Sequence, residues 1–163
     1  MFARDLLRLL RPVFAEVADA AGRPEFGSEA AVRLVVGTAA AESSFAALYQ
    51  RPQGPALGLW QIEPATLDDI EQNFLRHRPQ LEAAVMMWVA ARPADLRLHL
   101  VSNLAVAALV ARLIYWRSPL KLPRADDIAG QARIWKAAYN TAAGKGTPAH
   151  YEAAYRRLVL PHL

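Results

Sequence analysis

One glutamate occupies a position that would suit acid catalysis. Glu42 lies near the end of an apolar, alanine-rich segment and is followed directly by Ser43, Ser44 and Phe45. The C-terminal end of a helix carries partial negative charge and apolar neighbours exclude water, so both effects disfavour an ionised carboxylate. A glutamate that keeps its proton near neutral pH can act as a general acid. Taken alone, the position also fits an ordinary solvated glutamate at a helix end.

Two later segments carry polar groups that could bind a substrate. The sequence GLWQIEPAT at residues 58–66 contains Trp60, which could stack on a sugar face, and Gln61, which could hydrogen-bond hydroxyl or acetamido groups. Tyr139 could donate its hydroxyl to a neighbouring carboxyl group, and Asn140 could bind substrate. The simpler interpretations are a core tryptophan, a surface amide and a helix cap.

Several kinds of chemistry are excluded by what the sequence lacks. There is no cysteine, which rules out a disulfide scaffold, cysteine-ligated zinc, an iron–sulfur cluster and a cysteine nucleophile. The four histidines share no ligand spacing, so we predict no metal and no cofactor. The sequence GKGT at residues 144–147 is similar to the end of a phosphate-binding loop. However, Tyr139 stands where that loop needs glycine and Gly146 where it needs Ser or Thr, so we predict a turn.

Length and composition indicate one folded domain. The chain has 163 residues, of which 54% are hydrophobic and 21% charged, the balance of a globular protein. A net charge of +4 favours polyanions in general, including nucleic acid, phospholipid headgroups and bacterial wall polymers. The basic residues are scattered, so the sequence shows no dedicated nucleic-acid arm.

Apolar periodicity predicts a mainly α fold with at most a short β-hairpin, near residues 46–60. Ser28 is a predicted N-cap and Pro64 a predicted helix start. A first helix over residues 2–17 should be kinked or restarted at Pro12. The other predicted helices cover residues 30–44, 65–75, 81–91, 98–116, 128–139 and 148–160.

In their order along the chain, these motifs resemble the catalytic domain of soluble lytic transglycosylases and goose-type lysozymes, within the lysozyme-like superfamily. The sequence ESSF at residues 42–45 is similar to the family's Glu-Ser-x-Phe, and residues 58–66 to its Gly-Leu-Met-Gln-x-x-Pro-x-Thr. Asn103 and the helix after it resemble the Asn-led central helix, and residues 138–140 the start of Ala-Tyr-Asn-Ala-Gly.

The chain also departs from the family pattern at three points. Trp60 replaces the usual Met, and Val106 or a neighbour replaces the glycine common in the central helix. The turn after Asn140 is longer than in the family pattern. That longer turn is similar to those of bacteriophage members of the superfamily.

The resemblance implies a lysozyme-like domain over residues 1–163, with residues 1–27 as an N-terminal helical extension. It implies cleavage of the β-1,4 bond between N-acetylmuramic acid and N-acetylglucosamine in peptidoglycan, with Glu42 as the acid. The residues that would bind substrate or orient the acid are Ser43, Trp60, Gln61, Tyr139 and Asn140.

The product depends on a second carboxylate. With one across the cleft, water is activated and the bond is hydrolysed, as in a muramidase. Without one, the sugar's own 6-hydroxyl attacks and leaves an anhydro end, as in a lytic transglycosylase. Glu63 is the first candidate, with Asp68 and Asp69 as others, although each also suits the first turn of a helix after Pro64.

The expected location and partners follow from the resemblance together with two features of the sequence. The longest uncharged stretch, residues 98–111, is too short to span a membrane, and the N-terminal segment lacks the apolar core of a secretory signal. We therefore expect synthesis in the cytoplasm without a signal peptide, and action at the cell wall or periplasm, with a phage virion as one carrier. The expected partners are peptidoglycan glycan strands and virion or secretion-machine components, with no nucleic acid and no membrane span.

Three alternatives stay open at this point. An inactive lysozyme-like domain would serve as a structural or wall-binding part of a virion or secretion machine. A helical nucleic-acid-binding module is suggested by the basic pI alone. A membrane-acting protein would use residues 1–20 as an amphipathic helix.

Overall fold

Helices dominate the computed structural model, which describes residues 2–89, 96–141 and 144–163. Helix accounts for 69% of the structure and strand for 2%, which confirms the predicted mainly α class. Residues Trp135–Asn140 continue α7 as a π-helical turn, and short 3-10 turns follow α1, α3 and α8. The helices of the described ranges are α1 (Phe2–Ala20), α2 (Glu29–Ser43), α3 (Pro64–Asn73), α4 (Pro79–Met86), α5 (Leu96–Ser102), α6 (Leu104–Trp116), α7 (Ile128–Ile134) and α8 (Pro148–Leu158).

Helix α6 is the centre of the core. Every residue from Ala105 to Tyr115 is buried, including Arg112. Helices α1, α2, α3 and α5 and the π-helical turn all pack against it. A helix that is apolar on all sides is stable in water only when others surround it, so α6 supplies the surface on which the rest of the fold is built.

The prediction of one helix over residues 98–116 is wrong. The chain breaks at Asn103, where α5 and α6 meet at an angle of 111°. Asn103 is extended, its side-chain oxygen accepts a hydrogen bond from the backbone N–H of Val106, and its Nδ2 donates to the carbonyl of Trp88. An asparagine that caps the following helix competes with the helical backbone and ends the preceding one. Among the described residues, no single helix is long and apolar enough to cross a bilayer; α5 and α6 reach that length only as this bent pair.

Of the two outcomes predicted at Pro12, the start of a second helix is wrong. Helix α1 runs through this residue without a break or a restart. Proline removes one hydrogen bond to the carbonyl four residues earlier, which belongs to Arg8. Both residues are exposed, so water can solvate that carbonyl while the opposite face of the helix stays packed in the core.

Other boundaries follow the sequence more closely. Ser28 caps α2 as predicted, because its Oγ accepts a hydrogen bond from the N–H of Ala31 at 3.3 Å. Pro64 begins α3 as predicted. Helix α4 ends at Met86, and the predicted end of that helix near Pro93 lies outside the described residues. In place of a β-hairpin, the described part of the segment between α2 and α3 has two isolated bridges, which join Leu57 to two partners.

A glycine sets the distance between α2 and α8. A Cβ at Gly37 would lie 2.1 Å from the hydroxyl oxygen of Tyr151 and 2.7 Å from Cδ2 of Tyr155, so any side chain here would force the helices apart. The close approach brings the first turn of α8 beside the last turn of α2. That last turn contains Glu42.

We predict that Asn103→Ala lowers the free energy of unfolding by about 1–2 kcal/mol, because it removes the cap of the central helix. Asn103→Asp keeps the capping oxygen and loses only the hydrogen bond to Trp88, so its loss should be smaller. Urea denaturation followed by circular dichroism measures both. Equal losses for the two variants would show that the cap contributes nothing.

Candidate active site

A groove of about 900 Å³ opens where the C-terminal end of α2 meets the π-helical turn. The segment after α2, the start of α3 and the segment before α8 complete its walls. The predicted site residues that line it are Glu42, Ser43, Gln61, Glu63, Tyr139 and Asn140. Residues from three distant parts of the sequence are therefore brought together around the candidate acid.

Glu42 is held in the groove by a tryptophan. The indole Nε1–H of Trp135 donates a hydrogen bond to Oε1 of Glu42 at 2.9 Å. The Trp135 side chain is itself buried and packs at 5.6 Å, between ring centroids, against Tyr151. A ring fixed in this way restricts the Glu42 carboxyl to one direction, with the other oxygen left for a ligand in the groove.

Burial raises the pKa of Glu42 to about 7. Loss of water around the carboxyl is the main cause, and the Trp135 hydrogen bond and the charge of His150 act in the opposite direction. Near neutral pH Glu42 therefore keeps its proton far more often than an exposed glutamate does. A carboxyl with this pKa can both give and take a proton, which is what general acid–base catalysis requires.

His150 lies on the same side of the groove, in the first turn of α8. Its Nε2 is 2.9 Å from the carbonyl oxygen of Ala41, which can only accept, so Nε2 carries the hydrogen. Its ring also lies 6.1 Å from that of Trp135, between centroids. The histidine thus connects α8 to the last turn of α2, one residue before Glu42.

The expected stacking of Trp60 on a sugar is wrong. The side chain of Trp60 is fully buried, and its indole N–H donates to the carbonyl of Val35 in α2 at 2.8 Å. The ring therefore belongs to the core, the commoner role for tryptophan. Trp60 acts on the groove indirectly: its buried ring anchors the segment that presents Gln61.

Gly58 allows this segment to fold closely over α5. Its φ is +71°, a conformation open to glycine, and a Cβ would lie 1.9 Å from the carbonyl oxygen of Leu100. Both facts require glycine at this position. The tight turn that follows places the side chain of Gln61 at the groove, where its Nε2 donates back to the Gly58 carbonyl at 2.8 Å.

Tyr139 has a different partner from the one expected. Its hydroxyl donates to the backbone carbonyl of Trp60 at 2.7 Å, not to the Glu42 carboxyl. Its ring stacks on Tyr115 at 5.4 Å, and the Tyr115 hydroxyl lies 2.6 Å from Oγ1 of Thr38. Burial raises the pKa of Tyr139 well above its usual value, so the hydroxyl stays protonated and keeps its donor role.

Asn140 is tied to the turn that precedes α8. Its side-chain oxygen accepts from the ammonium of Lys136 at 2.9 Å, and the same ammonium donates to the carbonyl of Gly144 at 2.7 Å. A Cβ at Gly146 would lie 2.3 Å from Cη2 of Trp135 and 2.9 Å from Nδ2 of Asn140. The glycines of GKGT thus serve close packing beside the site.

Backbone conformations with positive φ cluster at the groove. In the described ranges, the non-glycine residues with such angles are Ser44, Phe45, Gln61 and Thr141, with φ between 46° and 62°. Three of them line the groove, and Phe45 is the chain neighbour of Ser44. These conformations cost free energy and are typical of functional sites, where the fold holds side chains in directions that regular structure does not provide.

Ser43 lines the groove but is turned back on its own helix. Its Oγ donates to the carbonyl of Ala39 at 3.1 Å, a bond within α2. The hydroxyl oxygen keeps its lone pairs and can still accept a hydrogen bond from a ligand. The orienting role expected for Ser43 is compatible with this position, although no direct contact with Glu42 is present in the described part of the chain.

The three candidate second carboxylates differ in their partners. Asp68 forms an ion pair with Arg97 at 2.8 Å, and Asp69 forms one with Arg117. Glu63 is exposed, lines the groove and has no ion-pair or hydrogen-bond partner for its side chain among the described residues. Glu63 is therefore the one of the three that a substrate or a water molecule could engage without breaking an existing ion pair.

Sequence reasoning missed Trp135 and His150. Trp135 precedes Tyr139 by four residues, so a helix places both on one face, and this spacing was a usable signal. His150 had no such signal, because the Gly37 contact between α2 and α8 decides its position. Within the described ranges, no group of three His, Asp or Glu side chains could hold a metal ion.

No family model matches the chain, and no curated protein sequence or solved structure is significantly similar to it. The interpretation of the groove therefore depends on its own geometry and on the motifs that line it. The geometry gives one half-buried carboxyl with a raised pKa, fixed by an indole and lining a groove of about 900 Å³.

We predict that Glu42→Gln stabilises the protein at alkaline pH but not at acid pH. The pKa of Glu42 is about 7 in the folded chain and about 4.5 in the unfolded chain, so stability falls as pH rises between these values. Glutamine does not titrate, so the gain should approach about 3 kcal/mol at pH 8.5 and vanish near pH 4. Urea denaturation at both pH values measures it.

The matched control is Glu16→Gln, an exposed glutamate on α1. It should change the free energy of unfolding by no more than about 0.5 kcal/mol at either pH. A gain for Glu42→Gln that is the same at both pH values would mean that Glu42 is not held in its neutral form by the fold.

Proposed function

We propose that this chain cleaves the β-1,4 glycosidic bond between N-acetylmuramic acid and N-acetylglucosamine in peptidoglycan, with Glu42 as the general acid. The observation that carries the proposal is the Glu42 carboxyl, with a pKa near 7, fixed by Trp135 inside a groove of about 900 Å³. Three of the motifs that resemble those of soluble lytic transglycosylases and goose-type lysozymes contribute residues to this groove, among them Glu42, Gln61 and Tyr139. Asn103, which begins the fourth motif, does not line it.

In the proposed first step, protonated Glu42 transfers its proton to the glycosidic oxygen. The bond between that oxygen and the anomeric carbon breaks, and positive charge develops on the sugar ring. The Trp135 N–H then stabilises the new Glu42 carboxylate. In the second step a hydroxyl attacks the anomeric carbon and gives up its proton to a carboxylate in the groove.

The hydroxyl in the second step comes from water or from the sugar itself. Glu63 supports the first route, because it lines the groove and has no competing ion pair in the described part of the structure. In that route Glu63 accepts the proton of the attacking water, and exchange with solvent returns Glu63 to its carboxylate and Glu42 to its acid form. In the other route the 6-hydroxyl attacks from within the sugar, its proton returns to Glu42, and Glu63 only contacts the substrate.

The charges around the groove suit an anionic polymer. Arg51 and Lys145 line it from opposite loops, and neither forms an ion pair with another described residue. Peptidoglycan carries free carboxylates on its peptide stems, and these two side chains could bind them. Such contacts are exposed, so salt should weaken substrate binding without changing the chemistry at Glu42.

We predict that Glu42→Gln lowers the rate of peptidoglycan cleavage by roughly 10²–10⁴-fold, the usual contribution of a general acid. Loss of turbidity of a peptidoglycan suspension measures the rate. Mass spectrometry of the released muropeptides then identifies the product: an anhydro end supports attack by the sugar, and a water-added end supports hydrolysis.

The control for this experiment is again Glu16→Gln, which lies outside the groove and should cleave at the wild-type rate. Glycan that stays intact with the wild-type protein would reject the proposal. If the glycan stays intact but sediments with the protein, the result would favour the alternative function, an inactive wall-binding domain. Equal cleavage by wild type and Glu42→Gln would reject Glu42 as the acid.

We predict that cleavage falls as pH rises through about 7, because the acid loses its proton. Trp135→Phe removes the hydrogen bond that favours the carboxylate, so the alkaline limb of the pH–rate profile should move upward by about one pH unit. Trp88→Phe is the matched control, since the buried Trp88 indole N–H has no hydrogen-bond partner in the described structure. Identical shifts for both variants would show that Trp135 does not tune the acid.

A further inference from the structure

A second cavity, of about 480 Å³, lies outside the groove. It is bounded by the start of α2, the end of α6 and the segment between α6 and α7. Its volume is within the usual range of small-molecule sites, roughly 300–1,000 Å³. The side chains that matter for its chemistry are Arg112, Lys121, Glu25, Leu120 and Leu122.

Arg112 forms part of the wall of this cavity and is almost fully buried, with 1% of its surface exposed. Its Nε donates to the carbonyl of Phe26 at 3.0 Å and its Nη2 to the carbonyl of Glu25 at 3.4 Å. The rings of Phe26 and Trp116 lie about 5 Å from its guanidinium carbon. Its remaining terminal nitrogen, Nη1, has no hydrogen-bond partner among the described residues.

Among the described residues, no carboxylate forms an ion pair with Arg112. The ion pairs of the described residues do not include Arg112, and Glu25 reaches it only through its backbone carbonyl. Burial lowers the pKa of Arg112 to about 10, which still leaves it charged at neutral pH. A buried cation without a counter-charge is costly, and carbonyls and aromatic faces offset only part of that cost.

The other groups around the cavity also favour a negative ligand. Lys121 lines it and forms no ion pair in the described ranges, and Ser28 and Ala30 present the positive end of the α2 dipole to it. Glu25 is the one acidic residue among those that line the cavity, so one negative charge stands against the two positive charges of Arg112 and Lys121. The local balance therefore suits a single negative charge better than a double one.

Apolar side chains of the cavity determine which uncharged part of a negative ligand would fit beside its charged end. Leu120, Leu122 and Pro123 form one wall, and Leu120 leaves 43% of its surface exposed. An apolar body lying against this wall would bury that surface while its charged end reaches Arg112. A small inorganic anion would leave the wall in water.

We propose that this cavity binds a monocarboxylate with an apolar body, whose carboxylate pairs with Arg112 and Lys121 and whose body covers Leu120 and Leu122. This site is separate from the groove at Glu42 and does not depend on the glycan-cleaving activity. Guanidinium binds carboxylate strongly because its nitrogens match the two oxygens, and the free Nη1 supplies the donor.

The test uses sodium octanoate as the probe, with 1-octanol as the uncharged control and sodium phosphate at the same ionic strength as the inorganic control. Binding is followed by the shift of the Trp116 indole N–H signal in NMR spectra, assigned with Trp116→Phe, and by the thermal midpoint. We expect octanoate to shift this signal and to bind at least tenfold more tightly than octanol. Equal affinities, or an equal effect of phosphate, would overturn the proposal.

Two variants test whether octanoate binding depends on the charges of Lys121 and Arg112. Lys121→Met should weaken octanoate binding two- to fivefold, since its charge is exposed and contributes modestly. Arg112→Met should abolish the preference for octanoate over octanol. If the Arg112 variant does not fold, Ala30→Phe fills the cavity instead and should abolish octanoate binding; octanoate binding that survives Ala30→Phe would overturn the proposal.

Discussion

The hydrogen bond between the Trp135 indole and the Glu42 carboxyl is the contact around which the groove is organised. It joins residues 93 positions apart, and it fixes a side chain that burial would otherwise leave without a partner. The bond is compatible with both protonation states of the acid, because an indole N–H can donate to a carboxylate or to the carbonyl oxygen of a carboxylic acid. Burial sets the direction of the pKa shift, and this bond limits its size.

The hydrogen bond between Trp135 and Glu42 depends on core residues that position both side chains. Gly37 lets α8 approach α2, and Tyr151 of α8 then packs against the Trp135 ring. On the other side, Thr38 contacts Tyr115, which stacks on Tyr139. Tyr139 in turn holds the carbonyl of Trp60. Each of these contacts includes a residue of the buried core, so the acid is positioned by the core.

The sequence predicted what local patterns can specify. Ser28 and Pro64 mark helix starts by their own chemistry, and the alanine-rich run before Glu42 indicated an acid in an apolar setting. The break between α5 and α6 at Asn103 was not predicted. Asn103 is a capping residue, but the apolar residues on both sides of it indicated one continuous helix. Periodicity alone does not show where a side chain points across the core, and the direction of the Trp60 ring depends on the Val35 carbonyl in another helix.

Glu42, which is half-buried, and Arg112, which is fully buried, show how one fold treats two ionisable groups differently. A carboxyl can escape the cost of burial by keeping its proton, and its pKa then moves towards neutrality. A guanidinium does not have that option near neutral pH, so the fold surrounds it with carbonyls and aromatic rings instead. Helix α6 takes part in both solutions: it carries Arg112, and its Tyr115 lines the second cavity while stacking on Tyr139 at the groove. Helix α6 therefore contributes to the walls of both cavities, with Ile114 at the groove and Arg112 and Tyr115 at the second cavity, and it supplies the buried charge of the second.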